Sequence, residues 1–326
     1  MLGLAELKNT IIITDSTVEC PVKGCPNKVR RRRRKKEFGQ GDEKFKCPKH
    51  KICISPSTFR YESMWDNIIW NDQCEKQLWD RIKTVKRESR MAHDNSEDAV
   101  TWNVFRFLAR SRLLGRVLTS LTEHEQKVTQ IIYWAYSPDE DGVWDWLRKA
   151  RQEFELVPSR GSEPDMIVTT SRAVFFIEAK LTAGNKTLPP PKADISWKYK
   201  AGGDSWFNQV FASDFDTVAV RAKKYEFMRF WLLGSWIAKE QDLEFYLVNL
   251  VRSQAERNIE NEFCPHIRSI DGRRFMRLSW ERIFSEVLRS EAEIEGRDTF
   301  EAYVRNKSIG YINGRLQAAF IQQATH

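Results

Sequence analysis

Apolar and polar positions along the chain fall into blocks whose period changes several times, and each change marks an element. A short apolar strand at Ile11 to Thr14 comes first, then two cysteine pairs separated by a basic stretch. Phe38-Gly39-Gln40-Gly41-Asp42 reads as a turn between strands, and Ser55-Pro56-Ser57 closes the block. From about 62 to 91, Trp65, Ile68, Ile69, Leu78, Trp79, Ile82 and Val85 recur at helical spacing and predict a connector with one buried stripe. A sharper helix start is Asn95-Ser96-Glu97-Asp98, a cap followed by acids and then by Trp102, Val104, Phe105 and Leu108. Another amphipathic helix is predicted from about Glu123 to Tyr136. Strands are predicted near Glu153 to Val157, Asp165 to Thr169 and Ala173 to Leu181, followed by a Pro189-Pro190-Pro191 loop. Helices near Ser205 to Ala212 and Val218 to Ala238, a strand over Glu244 to Val251 and a strand–helix unit from Phe275 to Leu288 complete the pattern. The pattern predicts an α/β domain over 95–326, preceded by a small module over 1–60 and a helical connector over 61–94.

With 41% hydrophobic and 12% aromatic residues, the chain has the makings of a core, which excludes a disordered protein. No run of about 18 apolar residues is present, which argues against a membrane-spanning helix and a membrane partner. The apolar patch at Ile11, Ile12 and Ile13 lacks the basic start and length of a signal peptide, so a cytoplasmic location is expected. The net charge of +8 is concentrated: between Cys20 and His50 there are twelve Lys or Arg against three acids, leaving the remainder near neutral. Such a cluster points to a polyanion-binding surface. Arg30, Arg31, Arg32, Arg33, Arg34, Lys35 and Lys36 are the candidate nucleic-acid-binding residues, a run suited to gripping phosphates whatever the sequence. The plainer reading is a solvated loop or a localisation run.

Cys20, Cys25, Cys47 and Cys53 fall within 34 residues, clustering that suits a metal better than disulfides. Cys20-Pro-Val-Lys-Gly-Cys25 and Cys47-Pro-Lys-His50 form two pairs of the zinc-ribbon knuckle kind, suited to a closed tetrahedral structural Zn2+. Cys53 is the alternative fourth ligand; His50 is preferred because its shorter gap from Cys47 closes a knuckle more naturally.

The richest stretch runs from Glu163-Pro164-Asp165 to Glu178-Ala179-Lys180. Strand alternation puts Glu178 and Lys180 on one face. A tight turn at Ser171-Arg172 would set Asp165 directly opposite Glu178, with Cβ atoms about 4.5–5.5 Å apart. Like charges so placed destabilise a sheet unless something offsets them. A divalent cation does so, and Mg2+ favours one or two carboxylates completed by water and phosphate oxygens. The lysine can then position or deprotonate an attacking water and stabilise charge developing at phosphorus. No histidine shows triad spacing, and no glycine-rich ATPase loop is present.

At Pro164-Asp165 and Glu178-Ala179-Lys180 the chain resembles the PD-(D/E)xK nucleases, which include many restriction and DNA-repair enzymes. The resemblance covers the α–β–β–β–α–β order read from about 95 to 251. It implies a restriction-endonuclease-like fold and Mg2+- or Mn2+-dependent hydrolysis of phosphodiester bonds. DNA is the expected substrate, RNA remains open, and a restriction or phage-defence role goes with the family. Family members often add an acid from the preceding helix and a polar residue from the helix after the third strand. The matches are Glu97, with Asp98 as competitor, and Gln209. Other readings are a non-catalytic nucleic-acid-binding subunit, or a nuclease working with a separate ATPase; a homodimer or a partner subunit also stays open.

Overall fold

The computed structural model describes residues 2–32, 43–86, 88–122, 124–154, 163–190, 204–290 and 293–321. Two short hairpins come first, β1 (Thr17–Glu19) with β2 (Lys28–Arg30) and β3 (Cys53–Ile54) with β4 (Phe59–Arg60). Helices α1 (Gln73–Ile82), α2 (Glu97–Arg110) and α3 (Leu114–Thr119) follow. Strands β5 (Val128–Tyr133), β6 (Tyr136–Ser137) and β7 (Gly142–Val143) lead into α4 (Asp145–Phe154), then β8 (Met166–Thr170) and β9 (Ala173–Ala179). Next come α5 (Asp204–Val210), a π-helical turn (Asp216–Arg221), α6 (Tyr225–Glu240) and β10 (Glu244–Val251). The chain ends with α7 (Ile259–Phe263), β11 (Arg273–Ser279), α8 (Trp280–Leu288), α9 (Arg297–Asn306) and the hairpin β12 (Ser308–Ile312) with β13 (Arg315–Ala318).

Two compact units result. Residues 1–75, 88–112 and 287–326 form one, and residues 76–87 with 113–286 form the other. The sequence reading drew unbroken domain boundaries, whereas these units are woven from separate stretches.

The second unit is α/β, built on one mixed sheet of seven strands in the order β11-β10-β9-β8-β5-β6-β7, flanked by helices. β9 and β11 run parallel to β10, and the remaining pairs are antiparallel. Every residue of β8 and β9 is buried, which explains why they read as continuous apolar runs instead of alternating ones. The helix α6 lies close on the sheet at Gly234, where an added Cβ would come within 2.1 Å of the buried Phe245 ring. Only glycine allows that approach.

Two of the expected elements change type. The helix expected over Glu123 to Tyr136 is strand from Val128: Val128, Ile131 and Ile132 mimic helical spacing, but the β-branched run pairs with β8. The strand expected at Glu153 to Val157 is the end of α4 through Phe154; 155–157 lie outside the described residues. Leu147, Ala150 and Phe154 recur at helical spacing and are buried on one side of α4. By contrast, β10 spans the eight residues expected of it, and Ser96 caps α2, its hydroxyl accepting from Ala99 N at 3.1 Å.

In the first unit the apolar core gathers Val18, Val29, Ile52, Ile54, Phe59 and Tyr61 around buried cysteines, and Tyr311 from the C-terminal hairpin joins them. Backbone bonds bind that hairpin in: Ile11 N to Gly314 O at 2.8 Å, Leu316 N to Asn9 O at 2.9 Å and Tyr311 N to Ser57 O at 2.7 Å. A segment so small has little core of its own, and residues from the far end of the chain complete it. Buried Asp94 accepts from Tyr61 Oη at 3.0 Å and from Ser308 Oγ at 2.5 Å, tying the same two stretches through side chains. Among the described residues no helix is long and apolar enough to cross a membrane. The expected turn at Phe38 to Asp42 and the end of the proline loop, Pro191, lie outside the described residues.

Candidate metal centre and acidic site

Cys20, Cys25, Cys47 and His50 converge, with all four ligand atoms within 4.8 Å of one another. Two turns bring them there. Gly24, at φ +75°, turns the chain between Cys20 and Cys25, and Lys51, at φ +56°, turns it after His50 and donates its N–H to Cys47 O at 2.8 Å. Cys25 Sγ lies 3.9 Å from Cys47 Sγ, and His50 Nδ1 lies 3.4 Å from Cys20 Sγ and 3.7 Å from Cys47 Sγ. A tetrahedral zinc with Zn–S bonds near 2.3 Å has ligand–ligand edges of about 3.8 Å, so the cluster has the dimensions for zinc. Burial lowers the His50 imidazole, as does the neighbouring Lys49 charge, which favours the neutral ring a metal requires. Burial pushes the Cys20 thiol up. At Cys47 burial acts in the same sense, but amide hydrogen bonds from His50 and Lys49 prevail and lower the thiol. Cys53 lies on β3 outside the cluster, whose fourth residue is His50.

The second constellation sits at one end of β8 and β9. Met166 pairs with Ile177 and Ile167 with Phe176; Asp165 and Glu178 are the next residues outward from the last rung, close enough for the Asp165 charge to act on Glu178. The turn that fixes it is held by Thr170, whose hydroxyl accepts from Arg172 N at 3.2 Å and Ala173 N at 2.9 Å. Asp165 is clasped on both oxygens: Trp134 Nε1 donates to Oδ1 at 3.1 Å and Ala179 N to Oδ2 at 2.9 Å. Trp134 reaches it because Trp134 and Ala135 adopt left-handed φ angles of 48° and 72° in the tight turn joining β5 to β6.

Glu178 is almost fully buried, and Lys180 ion-pairs with it. Burial raises the Glu178 carboxyl well above the usual range; the charges of Asp165 and Glu226 add to the rise, and Lys180 opposes it. Lys180 is itself held in place, its N–H donating to Leu250 O at 2.7 Å and its carbonyl accepting from Trp280 Nε1 at 3.2 Å. The loop after Lys180 is fastened to the loop after β10: Asn185 N donates to Glu256 Oε1 at 2.7 Å and Arg252 Nε to Leu181 O at 2.7 Å.

The sequence reading missed Glu226. Its Oε2 lies 3.8 Å from Lys180 Nζ, and its backbone N–H donates to Thr187 Oγ1 at 2.9 Å. The acid opens α6, but the sequence reading ran one helix from Val218, which hid it mid-helix. The π-helical turn and the left-handed Lys223 (φ 56°) break the chain there and put Glu226 in a first turn. An acid just before Phe227-Met228 was the available signal. Gln209 is exposed on α5, and the side chain brought to Lys180 is Glu226. Glu97 is in the first turn of α2, within the first unit, while Asp165, Glu178, Lys180 and Glu226 belong to the second. Asp98 accepts from Arg90 N at 3.1 Å. Of the basic run, Arg30 ends β2, Arg31 donates to Thr14 O at 3.0 Å and Arg32 is buried; Arg33, Arg34, Lys35 and Lys36 lie outside the described residues.

Comparison with models of protein families, with curated proteins and with solved structures returns no match to this chain.

Two measurements follow from these geometries. Purified protein should carry about one zinc per chain; His50→Ala or Cys47→Ser should lose it and Cys53→Ala should keep it. Zinc retained in His50→Ala but lost in Cys53→Ala would reverse the ligand assignment. For Glu178, a carboxyl raised on folding contributes stability at low pH that is lost as pH rises toward its folded value. Glu178→Gln should therefore raise the melting temperature of protein free of divalent cations other than zinc, more at pH 8 than at pH 5. Each kcal/mol is worth about 2–4 °C in a domain of this size. An unchanged or lower melting temperature at pH 8 would mean that the buried charge is already compensated.

Proposed function

We propose that the chain is a metal-dependent nuclease of the PD-(D/E)xK kind that hydrolyses phosphodiester bonds in DNA. The observation that carries this reading is the opposition of Asp165 and Glu178 across β8 and β9 beside Lys180. Within the second unit, the order β5, β8, β9, α6 and β10, with β10 parallel to β9, supports a restriction-endonuclease-like fold. Three carboxylates, Asp165, Glu178 and Glu226, face one lysine, an excess of negative charge that a divalent cation suits. They do not form a closed ligand set, since Asp165 is clasped by Trp134 and Ala179 and Glu178 by Lys180. That openness suits Mg2+ or Mn2+, which keep waters and take substrate oxygens, better than a structural metal.

Asp165 and Glu178 would hold the cation. When bound, it would supply positive charge against the scissile phosphate and the charge developing there. Lys180 aligns the attacking water and stabilises the phosphate oxygens as bonding changes at phosphorus. Glu226 keeps Lys180 aimed.

Plasmid cleavage with purified protein and Mg2+ tests the reading. Asp165→Asn, Glu178→Gln and Lys180→Met should each slow cleavage by about 100-fold or more. A double variant should be scarcely worse than a single one, because the groups act as a unit. Glu226→Gln should cost roughly 10–100-fold. Undiminished Mg2+-dependent cleavage by Asp165→Asn protein would remove the assignment.

A further inference from the structure

We infer that duplex DNA is held through its phosphate backbone in a groove of the zinc module, between the outer face of the β1–β2 hairpin and the turn at Glu43–Phe45. The choice of DNA as the polyanion rests on the nuclease reading. The groove has a volume of about 500 Å3 and is lined by Lys28, Arg30, Arg31 and Lys44 with the hydroxyl residues Ser16 and Thr17.

Strand alternation builds its floor. Val18 and Val29 pair across the hairpin and are buried in the module's core, so Thr17, Arg30, Glu19 and Lys28 fall on the opposite face, Thr17 across from Arg30 and Glu19 across from Lys28. The neighbouring acids each ion-pair with a lysine outside the groove, although Glu19 also acts on Lys28 across the hairpin. Glu19 pairs with Lys8 at 2.7 Å, Glu6 with Lys23 at 2.5 Å, and Glu43 and Glu62 with Lys46 at 3.3 and 2.5 Å. Asp15 is the one acid among the described residues of the lining, 3.7 Å from Arg31. Lys28 and Arg30 make no ion pair among the described residues. Among the described residues, four cations against one acid in one concavity make a seat for a polyanion, and cations with hydroxyls are the donor set that takes phosphate oxygens.

A membrane surface fits less well. The apolar side chains in the lining, Val29 and Phe45, are 5% and 3% exposed, so the groove presents no hydrocarbon to lipid. The groove also redefines the basic run. Arg30 and Arg31 belong to the seat, Lys28 and Lys44 from outside the run join it, and Arg32 is buried.

The test uses full-length protein carrying Asp165→Asn, without Mg2+, and fluorescence anisotropy with a short random-sequence duplex over a range of salt concentrations. Adding Lys28→Gln and Lys44→Gln should weaken binding roughly tenfold and flatten the log–log salt slope by about 1.8, two phosphate contacts' worth. The Lys28→Arg and Lys44→Arg pair should bind like the parent. Should the Gln pair lose zinc, the Lys28→Gln change alone must still flatten the slope with zinc retained. Equal affinity and slope for the Gln pair, the Arg pair and the parent would overturn the groove. So would unchanged DNA binding accompanied by lost binding to anionic phospholipid vesicles, which would assign the cations to a membrane surface. The outcomes separate from those of the cleavage assay. A flattened slope without any cleavage would leave the groove standing and remove the nuclease, whereas normal cleavage with an unchanged slope would do the reverse.

Discussion

Asp165 and Glu178 are brought together by the antiparallel pairing that joins Met166 to Ile177 and Thr169 to Val174, since both lie one step beyond its last rung. A slip of one residue would turn Glu178 to the other face of the sheet and bring a buried apolar side chain into its place. The two-residue turn held by the Thr170 hydroxyl opposes that slip, as does close packing on both faces of the two buried strands. The same burial makes the carboxylates costly. A nearly buried Glu178 beside two further acids is satisfied only in part by Lys180, and the carboxyl rises accordingly. A hairpin rigid enough to hold that arrangement is also what a cation site needs: ligands fixed before the cation arrives.

The zinc module depends on closure of a different kind. Its cysteines lie inside its apolar core, so a metal held by the Cys/His cluster would stabilise the same small volume as the side chains around it. Two ends of the chain share that volume. At φ +108°, Gly310 passes so near Ser57 O that an added Cβ would fall 2.1 Å from it, and this close approach lets the C-terminal hairpin complete the module.

How much of this was legible in the sequence depended on how local each signal was. The Cys20, Cys25, Cys47 and His50 cluster is set by short spacings and tight turns, and the register by a two-residue turn between apolar runs; both could be read directly. The strand at Val128–Tyr133 could not, because its apolar spacing also fits a helix and its partner, β8, is nearly forty residues away. Glu226 was hidden by the π-helical turn ahead of α6, a break with no proline or glycine to announce it. The joining of residues 287–326 to the N-terminal module is non-local by nature, and no periodicity reports it. The basic run was visible as charge, but only the fold separates Arg30 and Arg31, in the groove, from the buried Arg32.

The central claim, that the opposed carboxylates form a divalent-cation site, can be tested without any substrate. Mn2+ binding to zinc-loaded protein can be followed by the loss of the free-ion electron paramagnetic resonance signal. One site is predicted, abolished in Asp165→Asn protein and retained in Lys180→Met, because the lysine is not a ligand. Absence of Mn2+ binding, or a site indifferent to Asp165→Asn, would contradict it.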